Sequence, residues 1–186
     1  PGFGGEVFKQ AGGIPVNIPG GELYTAMQTG TIDAVEWVGP YNDLAFGFQQ
    51  VAKYYYYPGW HEPGSMLEFT INLDAWNSLP DHLKSIVTTA AEAVNQSVLD
   101  EYTASNNRAL QDLINNHDVQ LRKLPDDVIK EFRQISDEIL ESSAANDPEI
   151  DKVYQSFKAF LAEVKNYHTI AEDAFVEARN NSGDDS

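Results

Sequence analysis

One helical pattern dominates the chain. Leu83, Ile86, Val87, Ala90, Val94, Val98 and Tyr102 keep a helical spacing, and Leu110, Leu113 and Ile114 continue it. At about 1.5 Å per residue, an element from Asp81 to about Asn116 reaches some 50 Å. That exceeds the width of one small lobe, so the helix is expected to span two. A chain holding such a strut must place its remaining elements around it.

Upstream, glycine and proline crowd residues 1–64, where Gly4-Gly5, Gly12-Gly13 and Gly20-Gly21 punctuate short apolar runs such as Val16–Ile18 and Ala34–Val38. The pattern predicts short strands and turns. A helix from Gly21, with Leu23, Ala26 and Met27 on its apolar face and Gly30 closing it, would make a parallel βαβ unit. The Tyr54–Tyr57 run reads as a strand, with at least two of the four tyrosines structural. Leu67 to Leu73 alternates as a further strand. Beyond the long helix, Val119–Leu124 reads as a strand. Amphipathic helices follow, one through Val128, Phe132, Ile135, Ile139 and Leu140, and one from Pro148 towards Arg179.

The expected fold class is therefore α/β, in four segments: residues 1–65 the first part of an α/β lobe, 66–117 a hinge-crossing strand and bridging helix, 118–179 a strand and C-terminal helices, and 180–186 an acidic tail. The chain opens PGFGGEVFKQAGG, with neither an initiator Met nor a charged-then-apolar leader. It reads as the later part of a longer protein.

Charge removes several function classes. With 29 acids against 12 bases the net charge is -17, which disfavours nucleic acid and anionic membranes as partners. No run of about 18 apolar residues could span a bilayer. Zero cysteines exclude disulfides, thiolate metal sites and a cysteine nucleophile.

The residues best placed for chemistry lie between Asp33 and Glu62. Glu36 sits at the carboxyl end of an apolar run, just before Gly39-Pro40, where open α/β sheets place ligands. Glu62 lies between Gly59 and Pro63-Gly64. Trp37, Trp60, Tyr41, Phe46, Phe48 and Tyr54–Tyr57 can wall a small apolar pocket around them. As residues alone, the two acids fit a general acid and base pair, a shared hard cation such as Na⁺ or Ca²⁺, or ordinary surface carboxylates. Before Arg108 the only bases are Lys9, Lys53 and Lys84, so an anionic ligand would need a positive partner from elsewhere. His61 reads as structural or surface, since His82, His117 and His168 are scattered. Ser65 lacks the glycine of a nucleophile elbow, and the glycine pairs lack the pattern of a phosphate loop. They read as turns.

The stretch from GGIPVNIPGGELYTAMQTGTIDAVEWVGPYNDLAFGF through VAKYYYYPGWHEPGSMLEFTIN resembles the solute-binding proteins of tripartite ATP-independent periplasmic (TRAP) transporters. Glu22, Ala26-Met27-Gln28, Gly30 and Ile32-Asp33 carry the general pattern. Glu36-Trp37-Val38-Gly39-Pro40, Tyr54–Gly59 and His61-Glu62-Pro63-Gly64 mark the branch that binds 2-oxoacids and related monocarboxylates.

The resemblance implies a periplasmic-binding-protein-like receptor of two α/β lobes closing on a small organic acid, then docking on TRAP membrane permease subunits. The first lobe would be largely missing here. Carried over, the side chains of Glu36 and Glu62 and the carbonyl of Trp37 are metal ligands for a Na or Ca ion, while Trp37 and Glu62 also bind the acid. An arginine and a further cation ligand are expected upstream of Pro1, so the chain by itself should bind poorly. Pairing through a terminal helix makes the segment from Pro148 to Arg179 a candidate homodimer interface. A hydrolase using the two carboxylates as acid and base is the competing enzyme reading. A helical interaction domain with an incidental pocket is the third.

Overall fold

The computed structural model describes residues 2–62, 64 and 67–181. In chain order come α1 (Phe3–Gln10), α2 (Gly20–Gln28), α3 (Pro40–Ala45), a single 3₁₀ turn at Phe48–Gln50, β1 (Tyr54–Tyr57), α4 (Leu73–Ser78), α5 (Asp81–Asn116), β2 (Gln120–Lys123), α6 (Asp126–Asn146) and α7 (Pro148–His168). A π-helical turn at Thr169–Asp173 joins α7 to α8 (Ala174–Asn181). This is a mixed α/β chain, mostly helical, with a small parallel sheet. The part of the expected acidic tail beyond Asn181 lies outside the described residues.

Two compact units are present. The first holds the chain up to Glu6 and from Ile14 to Ile129; the second holds Val7–Gly13 and the chain from Lys130. In the first, Leu23, Ala26, Phe48, Ala109, Leu113 and Val119 are buried. The sheet is β1 beside β2, with Tyr54 opposite Gln120 and Tyr57 opposite Lys123. Parallel neighbours need a crossover between them, and α5 is part of that connection. The whole of α5 lies in the first unit.

Capping explains where several elements stop. Gly30, at φ 69°, takes the left-handed conformation that glycine adopts without a side-chain penalty. It lets Thr31 N–H return to the Ala26 carbonyl at 2.9 Å and Gly30 N–H to Met27 at 3.2 Å, closing α2 as a Schellman motif. At α7, the Asp147 carboxylate accepts from Glu149 N–H at 2.8 Å, and Pro148 occupies the first turn, where its missing N–H costs nothing.

The parallel pairing is built from other segments than those expected. Val16–Ile18 and Ala34–Val38 are irregular, and residues 3–10 form α1 instead of turns. The Leu67–Leu73 alternation is not a strand either. Residues 67–72 join no ladder among the described residues and leave Leu67 and Phe69 exposed. Asn72 then ends the alternation, its side chain accepting from Ala75 N–H at 3.0 Å as the cap of α4.

In the second unit, Phe8 meets Phe132 edge to face at 6.4 Å between ring centroids, and Ile135 and Ala144 of α6 are buried. Much of α7 is uncovered. Ile150, Val153, Phe157, Phe160, Leu161 and Tyr167 are exposed along one helical face.

Candidate functional site

The segment carrying Glu36 and Trp37 is an irregular loop between α2 and α3. It ends at Gly39, the N-cap of α3, and Pro40 begins the helix with a preset φ. Gly39 sits close to α5: a Cβ there would meet Asn106 Oδ1 at 3.2 Å, and the Asn106 side chain would have to give by a few tenths of an ångström. Tyr41 N–H donates to that same oxygen at 2.9 Å, and the Tyr41 ring meets Tyr102 edge to face. The start of α3 is thereby tied to the last third of α5.

Trp37 is held from two sides. Its indole lies against Gly20 at the start of α2, where a Cβ would come within 2.6 Å of the ring, and it packs on Phe46 at 4.8 Å between centroids. Gly20 was expected to serve as a turn; its actual use is to make room for an aromatic ring. The Trp37 Nε1–H is buried without a hydrogen-bond partner among the described residues. A buried donor left that way carries an unmet desolvation cost, which a bound acceptor removes.

Glu36 points to His61. Its Oε2 lies 3.6 Å from His61 Nε2, with the glutamate side chain 63% exposed and the imidazole 22%. The sequence reads His61 as structural or surface, and the fold puts it, packed, beside the acid. It packs on Trp60 and against Gly4 of α1, and its Nδ1 is buried with no partner among the described residues. Gly4, whose Cβ position faces the imidazole, is a signal that could have located it. Glu62 is exposed and next in the chain. Among the described residues no three acidic or histidine side chains converge as a metal cluster. Any cation here must take some of its oxygens from backbone, ligand or other residues.

The aromatic residues expected to wall one pocket divide instead. Trp37, Phe46 and Phe48 form one cluster, Trp60 packs at a tilt on His61, and Tyr54, Tyr56 and Tyr57 are exposed on β1. A cavity of about 20 Å³ lies among Asp43, Phe48, Tyr55, Leu113 and Val119, space for a water but not for an organic acid. Tyr55 points inward, its hydroxyl donating to Asp43 Oδ2 at 2.6 Å. Burial raises the Asp43 carboxyl above its ordinary value, against the downward pull of Tyr55 and the N–H groups of Val38 and Gly39. Burial and the adjacent Asp43 push the Tyr55 hydroxyl upward, so it stays a donor.

Residues 1–147 match the family described as bacterial extracellular solute-binding protein, family 7. The chain belongs to that family. Family 7 is one of transport solute-binding proteins and not of enzymes. A monocarboxylate 2-oxoacid-binding periplasmic protein of Nostoc sp. is 38% identical over 172 residues, covering 92% of this chain and 47% of the relative. A TRAP periplasmic solute-binding protein from Colwellia psychrerythraea, solved with calcium and pyruvate, superposes with a TM-score of 0.90 at 40% identity, covering 96% of this chain and 54% of that one. Its counterpart from Pseudoalteromonas atlantica, solved with sodium and pyruvate, gives 0.88 at 40% identity, covering 95% and 54%. The family 7 segment described here thus spans about half the length of the relatives it matches. No described helix is long and apolar enough to cross a membrane.

Proposed function

We propose that this chain is part of the extracytoplasmic receptor of a TRAP transporter, binding a 2-oxoacid or related monocarboxylate through a bound cation in the periplasm and handing it to a membrane permease. The observation that carries the reading is the loop at Glu36 and Trp37, where a carboxylate and a buried N–H without a partner among the described residues occur on adjacent residues. The first suits a cation, the second an anion's oxygen.

The donor set fits Na⁺ or Ca²⁺ in kind. The carboxylates of Glu36 and Glu62 and the backbone carbonyl of Trp37 are hard oxygen donors, whereas calcium typically takes about six to eight oxygens, so the bound acid, water or other residues complete the sphere. When bound, the cation supplies the positive charge that turns an acid-lined site into an anion receptor. Trp37 offers its indole to the bound acid, and Glu62 contributes to both ion and acid. The reading is one of binding without turnover, in keeping with a family of transport solute-binding proteins. The relatives solved with bound pyruvate and with calcium or sodium support the same ligand class. Two copies pair through the exposed apolar face of α7.

Calorimetric titration of the full-length protein with pyruvate, with and without Na⁺ or Ca²⁺, tests the reading. Saturable binding that requires the cation is expected. Glu36→Gln and Glu62→Gln should each weaken it at least about tenfold, the loss of roughly one good metal ligand. Unchanged affinity in both variants would refute the cation role.

A further inference from the structure

No ladder holds the loop that presents Trp37, so its peptide planes must be fixed by other partners. Asp43 supplies them. Its Oδ1 accepts from the N–H groups of Val38 and Gly39, both at 3.3 Å, while Oδ2 accepts from the Tyr55 hydroxyl of β1. The side chain is only 8% exposed, a costly place for an acid unless several donors converge on it. Asn106 holds the other side of the same turn through Tyr41 N–H.

Geometry gives that arrangement a direction. The Val38 N–H and the Trp37 carbonyl belong to one planar, trans peptide unit, so they point in opposite senses. An N–H aimed at Asp43 therefore aims the Trp37 carbonyl away from it. A charged acceptor on the N–H also polarises the peptide and makes that carbonyl oxygen more negative. We propose that Asp43, buttressed by Tyr55 and Asn106, is a positioning residue that orients the Trp37 carbonyl as a cation ligand. The proposal rests on the preceding assignment of that carbonyl to the cation.

The test uses the full-length protein and reads cation affinity directly. Terbium luminescence sensitised by tryptophan, with calcium as competitor, gives that affinity without the organic acid, and thermal unfolding is followed alongside. Asp43→Ala should weaken calcium about tenfold or more, the usual loss when a partner orienting a metal ligand is removed. Asp43→Asn, which keeps an acceptor oxygen for the two N–H groups, should recover most of that loss. Tyr55→Phe should fall between the two. With calcium saturating, pyruvate affinity in all three should return to within about twofold of wild type, because the acid's own contacts are intact. An Asp43→Ala protein that folds and binds calcium as wild type does overturns the proposal. If Asp43→Ala does not fold, Tyr55→Phe decides, and unchanged calcium affinity there overturns it equally. Glu36→Gln separates the two levels: should it leave calcium affinity unaltered, the cation site itself is wrong. Loss in Glu36→Gln without loss at Asp43 or Tyr55 defeats only the positioning role.

Discussion

Gly20 opens α2 directly against the Trp37 indole, and the ring leaves no space for a methyl group. Gly20→Ala is expected to displace the indole and cost about 1–3 kcal/mol, as overpacking usually does. Chemical denaturation checks the cost, and a shifted tryptophan emission maximum reports the displaced ring. Asp43 has a second consequence, in acid. Its folded-state carboxyl titrates above the ordinary 3.8, chiefly because it is buried. Between those two values the native state holds a proton that the unfolded chain has released, so the Asp43 contribution to stability declines as pH rises through that window. Asp43→Asn should flatten this part of the profile, read as denaturant midpoints measured from about pH 3 upward. Glu36, Trp37 and Glu62 stand out in the sequence as candidates because acids and an indole are set among glycines and prolines, and the fold places the first of them beside His61. Asp43 was not: an acid at the start of a short helix reads as an ordinary first-turn residue, and its partner Tyr55 belongs to a separate element.

At the scale of elements, α7 makes the clearest prediction. Val153, Phe157 and Phe160 share an uncovered face, and the apolar spacing continues to Tyr167 before the π-helical turn shifts the register. Replacing Phe157 and Phe160 together by glutamate should shift sedimentation of the protein from the proposed dimer to monomer and leave the proposed calcium-dependent pyruvate binding in place. The helices α2, α5, α6 and α7 and the strand β2 were legible because apolar period, caps and glycine stops agree in each. The first helix, α1, was hidden by Gly4 and Gly5, which weaken helical preference, although Gly4 here fits closely against His61. Leu67–Leu73 misled for the opposite reason: its alternation is real, but a strand needs a neighbour to exist, and Asn72 turns the chain into α4. The expected βαβ unit does not form, since the glycine-bounded runs upstream stay irregular and the parallel pair is β1 with β2.

Across the molecule, apolar surface is unevenly covered. Ile86, Val94 and Leu99 of α5 are exposed, and the buried residues of that helix, Ser105, Ala109 and Leu113, all lie in its last third. The 186-residue chain produced by itself should therefore enhance the fluorescence of anilinonaphthalene sulfonate. Ile86→Gln, Val94→Gln and Leu99→Gln combined should lower that emission and change stability by no more than about 0.5 kcal/mol per site. The same substitutions in a longer protein measure how much of the face is covered there, since burial would raise the cost to about 2–5 kcal/mol each. Anchorage at one end also has a mechanical consequence. From Ser105 back to Asp81 the helix is a rigid arm of about 36 Å, so a pivot of about 5° at the anchored end sweeps its tip through about 3 Å. Asn106 sits at that fulcrum with its oxygen on the first turn of α3, so the turn that follows Trp37 is coupled to the short end of a lever.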